Sequence, residues 1–214
     1  MRQILQDLNK GATTVTDVPA PAVREGHVLI RSCVSLISAG TERMLVEFGR
    51  SNMIDKARQQ PDKVRMVLDK VKTDGLMPTV QAVRSKLEQP LPLGYSNVGT
   101  VIEVGEGVTE FEVGDKVACA GAGYANHAEI VSVPINLCVK LDTNTNLKDA
   151  AYNTLGAISM QGVRQADLRL GESCVIIGLG LLGQLAALIL KASGVTVIGI
   201  DVSEAAVKQA VEHK

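Results

Sequence analysis

The chain has 214 residues, 46% of them hydrophobic and 21% charged, with 22 basic side chains against 23 acidic ones. Charge this close to balance removes the electrostatic case for nucleic acid or an anionic membrane surface as partner, and the composition is that of a globular chain rather than a disordered one. Aromatic residues make up 2% with no Trp, which argues against a base-stacking platform and requires a core of Val, Ile, Leu and Ala.

The opening MRQILQDLNKG is polar and has no apolar run of the kind a secretion signal needs. The first strand is read at VLIRSCV, residues 28–34, short and β-branched after Gly26, and it ends in the small-residue loop SLISAGTE. Between residues 42 and 89 apolar positions recur at three- and four-residue steps, as at Val64, Val67, Leu68 and Val71. That spacing predicts two or three amphipathic helices, broken near Pro61, Gly75 and Pro78. Lys56, Arg58, Lys63, Arg65, Lys70 and Lys72 alternate there with acids, which reads as a solvated face; a lid or an oligomer contact is the functional alternative.

Strand character returns at GTVIEV (99–104). A glycine turn at 105–107 and the Gly114-Asp115 turn lead to a strand from Lys116, with shorter ones at 128–133 and 137–140. Such meandering strands predict a small barrel or sandwich. The polar LDTNTN and a helical pattern to about Arg164 follow, and the domain change is placed at residues 145–146. SCVIIG then reads as a fully apolar strand, QLAALILKAS as a helix stopped by Gly194, and VTVIGI as a second strand ended by Asp201, together a β-α-β unit. Ser203 is the expected N-cap of a last helix. The most apolar segment, 174–190, holds three glycines and a glutamine, so no membrane span is expected.

Cys33, Cys119, Cys138 and Cys174 form no CxxC pair, and none adjoins His27, His127 or His213, so neither a zinc ribbon nor a disulfide framework is signalled and a reducing, cytoplasmic setting is expected. Cys33 and Cys119 read as small core residues within strands, and His127 as a satisfied structural histidine in preference to a cleft residue.

The sharpest motif is Gly178-Leu179-Gly180-Leu181-Leu182-Gly183, a G-x-G-x-x-G between an apolar strand and a helix. In such a turn the first glycine permits the sharp corner, the second admits a pyrophosphate, and the third lets helix and strand pack closely. Asp201 ends the next strand eighteen residues after Gly183, where a carboxylate would bond a ribose diol and repel a 2′-phosphate. Gly178, Gly180, Leu181, Leu182, Gly183 and Asp201 are therefore the expected cofactor contacts, with NAD favoured over NADP. A plain structural turn and a helix-capping Asp201 are the bland alternatives, and S-adenosylmethionine enzymes use a similar turn.

With LPLGYSNVGTVIEVGEGVTEFEVGDKVA at 91–118, then YANHAEI, VPINLCVKL and the later GLGLLG, the chain from about Val28 onward resembles the medium-chain dehydrogenase/reductase superfamily. ISAGTE followed by LGYSNVG is most similar to the amino-terminal half of large bacterial two-part oxidoreductases, whose work is often polysaccharide synthesis. The resemblance implies an α/β plus β fold. Residues 1–145 would be a GroES-like β-barrel catalytic domain with a helical insertion at about 43–90, and 146–214 the start of a Rossmann domain, an incomplete parallel β-α-β piece of a longer polypeptide. It further implies an NAD-dependent oxidoreductase working on a small-molecule alcohol or carbonyl, with the isolated fragment inactive.

The chain departs from the zinc alcohol dehydrogenases of that superfamily. Where they carry G-H-E it has Gly94-Tyr95-Ser96; their ligand cysteine falls on Ala39 or Ser38, a third ligand near Ala151, and the structural zinc lobe after V-G-D-x-V is missing. No zinc is therefore expected, since a catalytic site needs three N, S or carboxylate donors. Thr41, in the place of the family's proton-relaying hydroxyl, and Tyr95, in that of the metal-binding histidine, are the candidate catalytic donors to the developing alkoxide; helix capping and space filling are their structural alternatives. The rival function is a dinucleotide-binding sensor or structural protein without chemistry.

Overall fold

The computed structural model describes residues 1–169 and 171–212, which leaves His213 outside the described residues. It comprises two compact units, Met1–Ala151 and the residues from Tyr152 onward.

The first unit opens with β1 (Arg2–Gln6) and β2 (Thr13–Asp17), an antiparallel hairpin. Its turn is built by Asp7, whose Oδ1 accepts from the amides of Asn9 and Lys10, both at 2.8 Å, and by Gly11 at φ +70°. Next come β3 (His27–Ser35) and four helices: α1 (Ala39–Arg50), α2 (Met53–Gln59), α3 (Pro61–Asp74) and α4 (Leu76–Glu88). The short β4 (Leu91–Pro92) pairs with β1, and β5 (Ser96–Val104), β6 (Lys116–Ala120), β7 (Ile130–Pro134) and β8 (Cys138–Lys140) complete an antiparallel half-barrel sheet in the order β7-β3-β5-β6-β8.

The sheet closes over Val28, Ile30, Val101, Val117, Cys119, Val131 and Val133. A second cluster under α5 (Leu147–Ala150) is formed by Val98, Ala118 and Ala151. Gly99 is required where β3 and β5 cross, because a Cβ there would overlap the Arg31 carbonyl.

Four details differ from expectation. β1 and β2 carry too few apolar residues to announce themselves, and β4 is two residues long. Pro78 does not break a helix: it sits in the first turn of α4, where its missing N–H has no intrahelical partner to lose, and the break falls at Gly75, φ +88°. Lys56 is not on a solvated face; it is 7% exposed, donates from Nζ to the Leu8 carbonyl at 2.7 Å and lies over the Phe48 ring. Cys33 is not a core residue. The β3–β5 register slips between Ser32 and Val34, so Cys33 has no partner on β5 and is exposed. Cys119 is buried as expected, and its thiol is held far above the ordinary range by its hydrogen bond with Cys138 and by burial.

The second unit runs α6 (Asn153–Gln165), β9 (Ser173–Ile177), α7 (Leu181–Ala192), β10 (Thr196–Ile200) and α8 (Glu204–Glu212). β9 and β10 pair in parallel from Ser173↔Thr196 to Ile177↔Ile200, and α6 packs on α7. Ser203 Oγ accepts from the Ala206 amide at 3.4 Å at the start of α8. Among the described residues no helix is long and apolar enough to cross a membrane.

Candidate functional site

In the second unit the glycine corner leaves the carboxyl end of β9 and turns into α7. Gly178 has φ +98°, a conformation other residues rarely adopt, and its amide donates to the Ile200 carbonyl at 2.8 Å, tying the corner to β10. A Cβ on Gly183 would overlap the Gly178 carbonyl, so the third glycine is needed for α7 to sit against the strand end. A Cβ on Gly180 would meet nothing within 4 Å: that side of the corner is open, and no side chain caps the start of α7. The first amides of Leu181, Leu182 and Gly183 stand at the positive end of a twelve-residue helix, where an anion is favoured.

Asp201 closes the corner. Its Oδ2 accepts from the Leu179 amide at 2.6 Å and its Oδ1 from the Ser203 amide at 2.7 Å, and these backbone donors, Ser203 first, hold its carboxyl below the usual range. The six cofactor positions read from the sequence thus form one cluster at the carboxyl edge of two adjacent parallel strands. Each carboxylate oxygen can accept a second hydrogen bond, so the capping role leaves capacity for a diol. The open face, the helix start and the acid fit a dinucleotide.

In the first unit Thr41 is exposed in the first turn of α1 and Tyr95 is half-buried just before β5, its carbonyl accepting from the Gly121 amide at 3.0 Å. The N-cap position is Ser38, so Thr41 does not cap the helix. The residues next to the two candidates meet on His127. Its Nε2 lies 2.9 Å from Glu42 Oε2 and its Nδ1 2.8 Å from Ser35 Oγ, while the ring packs on Gly94. Glu42 Oε1 accepts from the Ser38 amide at 2.8 Å. His127 is 6% exposed and Glu42 5%, so the pair is screened from water.

The expectation that His127 is internally satisfied agrees with this geometry, but Glu42 and Ser35 were not anticipated as its partners, nor Ser38 as the donor that holds Glu42. The acid directly after Thr41 was the available signal. An open cavity of about 340 Å³ borders the cluster, lined by Arg2, Val15, Ser32, Cys33, Ser35 and His127 among others.

The positions at which the resemblance would put zinc ligands carry no donor set. Ala39 and Ala151 have no ligating side chain, Tyr95 stands for the histidine, and among the described residues no group of three His, Cys, Asp or Glu side chains could hold a metal. These residues do not fit a zinc ion.

A model of the alcohol dehydrogenase GroES-like domain matches residues 65–143. Residues 65–143 therefore match that domain, the one the motifs resemble. It is 36% identical over 111 residues to a D-guloside 3-dehydrogenase of Shigella flexneri, covering 51% of this chain and 31% of that protein. It is 30% identical over 131 residues to the (R,R)-butanediol dehydrogenase of Bacillus subtilis, covering 50% and 38%. The crystal structure of galactitol-1-phosphate dehydrogenase from Escherichia coli superimposes with a TM-score of 0.74 at 18% identity, over 99% of this chain and 59% of that one. The chain therefore spans about a third of the length of these curated relatives and shares the fold of the solved one. The superfamily resemblance read from the motifs is borne out.

Proposed function

We propose that this chain belongs to a zinc-independent, NAD-dependent oxidoreductase that interconverts a polar alcohol and its carbonyl. The observation that supports it most is the joining of the glycine corner to the Asp201 carboxylate beside the open start of α7. There the amides of Leu181, Leu182 and Gly183 would face the pyrophosphate, and Asp201, kept ionised by its backbone donors, would bond the ribose diol and repel a 2′-phosphate. When bound, the nicotinamide accepts or returns a hydride. Thr41 and Tyr95 would then donate hydrogen bonds to the alkoxide, in place of a metal. The names of the relatives favour a sugar-type or other small polyol substrate, and the two-part bacterial enzymes that the motifs resemble favour a place in polysaccharide synthesis.

The test is a fluorescence titration with NADH and NADPH of the protein in a form that carries a whole dinucleotide-binding domain, followed by turnover over a panel of sugar and polyol substrates. Tighter NADH binding that is lost or levelled with NADPH in Asp201→Ala, together with slower turnover in Thr41→Ala and Tyr95→Phe, is the expected result. Binding of S-adenosylmethionine in competition, or no dinucleotide binding, would refute the reading. The missing zinc donors favour one second reading, a dinucleotide sensor without chemistry; tight NADH binding with no hydride exchange on any substrate would select it.

A further inference from the structure

We propose that His127 is a positioning residue that sets the segment carrying Thr41 against the segment carrying Tyr95, an inference that rests on the oxidoreductase reading above. His127 joins four parts of the first unit. Its ring holds α1 through Glu42 at 2.9 Å and the end of β3 through Ser35 at 2.8 Å. Its amide donates to the Leu93 carbonyl at 2.8 Å, and its carbonyl accepts from the Ile4 amide at 2.9 Å. Gly94, at φ +94°, fits only because it lacks a side chain: a Cβ would stand 2.6 Å from the His127 nitrogen and 2.8 Å from its Cγ. Thr41 precedes Glu42, one of the two residues that the ring bonds, and Tyr95 follows Gly94, on which the ring packs.

Stability alone does not account for such a cluster. A buried ionisable pair is commonly matched or bettered by apolar side chains of similar volume, whereas its directional bonds fix one geometry. Glu42 spends both oxygens on direction: Oε2 meets the ring and Oε1 the Ser38 amide, so the pitch of the first turn of α1 is set from two sides. The hydroxyl and phenol candidates sit on segments 54 residues apart in sequence, and this buried histidine touches the neighbours of both.

The test compares the wild-type protein, in a form that carries a whole dinucleotide-binding domain, with Glu42→Gln and with the double variant Glu42→Met/His127→Leu, which removes the pair without stranding a buried charge. The double variant should keep a cooperative melt and lose about 10²-fold in kcat with little change in KM, as a misplaced catalytic group does. Glu42→Gln, whose Oε1 keeps the Ser38 amide while its NH2 donates to Nε2 of the other ring tautomer, should stay within a few fold of wild type. Unchanged kcat in the double variant, or an equal loss in Glu42→Gln, overturns the proposal. If the wild type itself transfers no hydride, the oxidoreductase reading fails, and amide hydrogen exchange decides the positioning alone. The Glu42 amide, bonded to the Ser38 carbonyl, and the Gly121 amide, bonded to the Tyr95 carbonyl, should both exchange faster in the double variant while the Val101 amide stays protected. No change at either site overturns it.

Discussion

The two sheets of this protein treat apolar surface in opposite ways. In the antiparallel half barrel Val28, Ile30, Val98, Val117 and Val133 are wholly buried, whereas in the parallel pair Ile177 is 86% exposed and Val175, Ile198 and Ile200 are each more than half exposed. Both sets of strands are β-branched and apolar, so composition does not separate them. Antiparallel strands can close a core on one face and meet water on the other, but parallel strands are written for cover on both faces. α7 packs on β9 and β10, and the described residues leave their remaining apolar side chains bare. Order in the second unit accordingly leans on the α6–α7 packing and on the hydrogen bonds of the glycine corner.

The largest expected effect tests that contrast directly. Ile30→Ala should cost about 2–5 kcal/mol in chemical denaturation, the range for truncating a fully buried aliphatic side chain, while Ile177→Ala should stay within about 0.5 kcal/mol. Equal losses would mean that in solution Ile177 is covered, and the comparison would fail. Next in size is Gly183→Ala, whose new methyl overlaps the Gly178 carbonyl. It should destabilise the second unit by about 1–3 kcal/mol and weaken NADH binding in the same titration, because α7 must shift away from the corner. Lys56→Met gives a smaller change, about 1 kcal/mol, for the loss of a hydrogen bond to the Leu8 carbonyl, and Lys63→Met, on an exposed position of α3, should be neutral.

What the sequence made legible follows the same divide between local and distant causes. β3, β5, β9 and β10 are β-branched runs beside glycines, and the corner at 178–183 is a local motif, so each could be read in place. β1 and β2 could not: RQILQ and TTVTD hold few apolar residues, and their pairing is fixed by the Asp7 turn and by β4, some 85 residues later. Cys33 looked like a core strand residue because a register slip leaves no mark in composition. The Glu42–His127 bond joins residues 85 apart, and no periodicity reports a pair whose partners are set by the closing of the sheet. The glycine corner and its bond to Asp201 were legible because all their parts lie within one β-α-β unit.

The smallest effect is also the one that tells the two units apart by pH. Asp201 has its carboxyl pulled below the ordinary value of about 3.9 by the Ser203 and Leu179 amides, and Asp115 of the first unit is pulled the same way by Lys140 and the Glu112 amide. A depressed folded-state pKa means that the unfolded chain binds the proton first. The stabilisation is therefore present above about pH 4 and is lost as the pH falls through the lower folded value. Thermal melts from pH 6 to pH 2.5, followed by amide exchange at Ile176 for the second unit and Val101 for the first, should show Asp201→Asn flattening the acid dependence at Ile176 alone and Asp115→Asn flattening it at Val101 alone. Should either substitution flatten both, the units unfold as one cooperative block, and the exposed parallel sheet must draw its stability from the barrel rather than from its own corner.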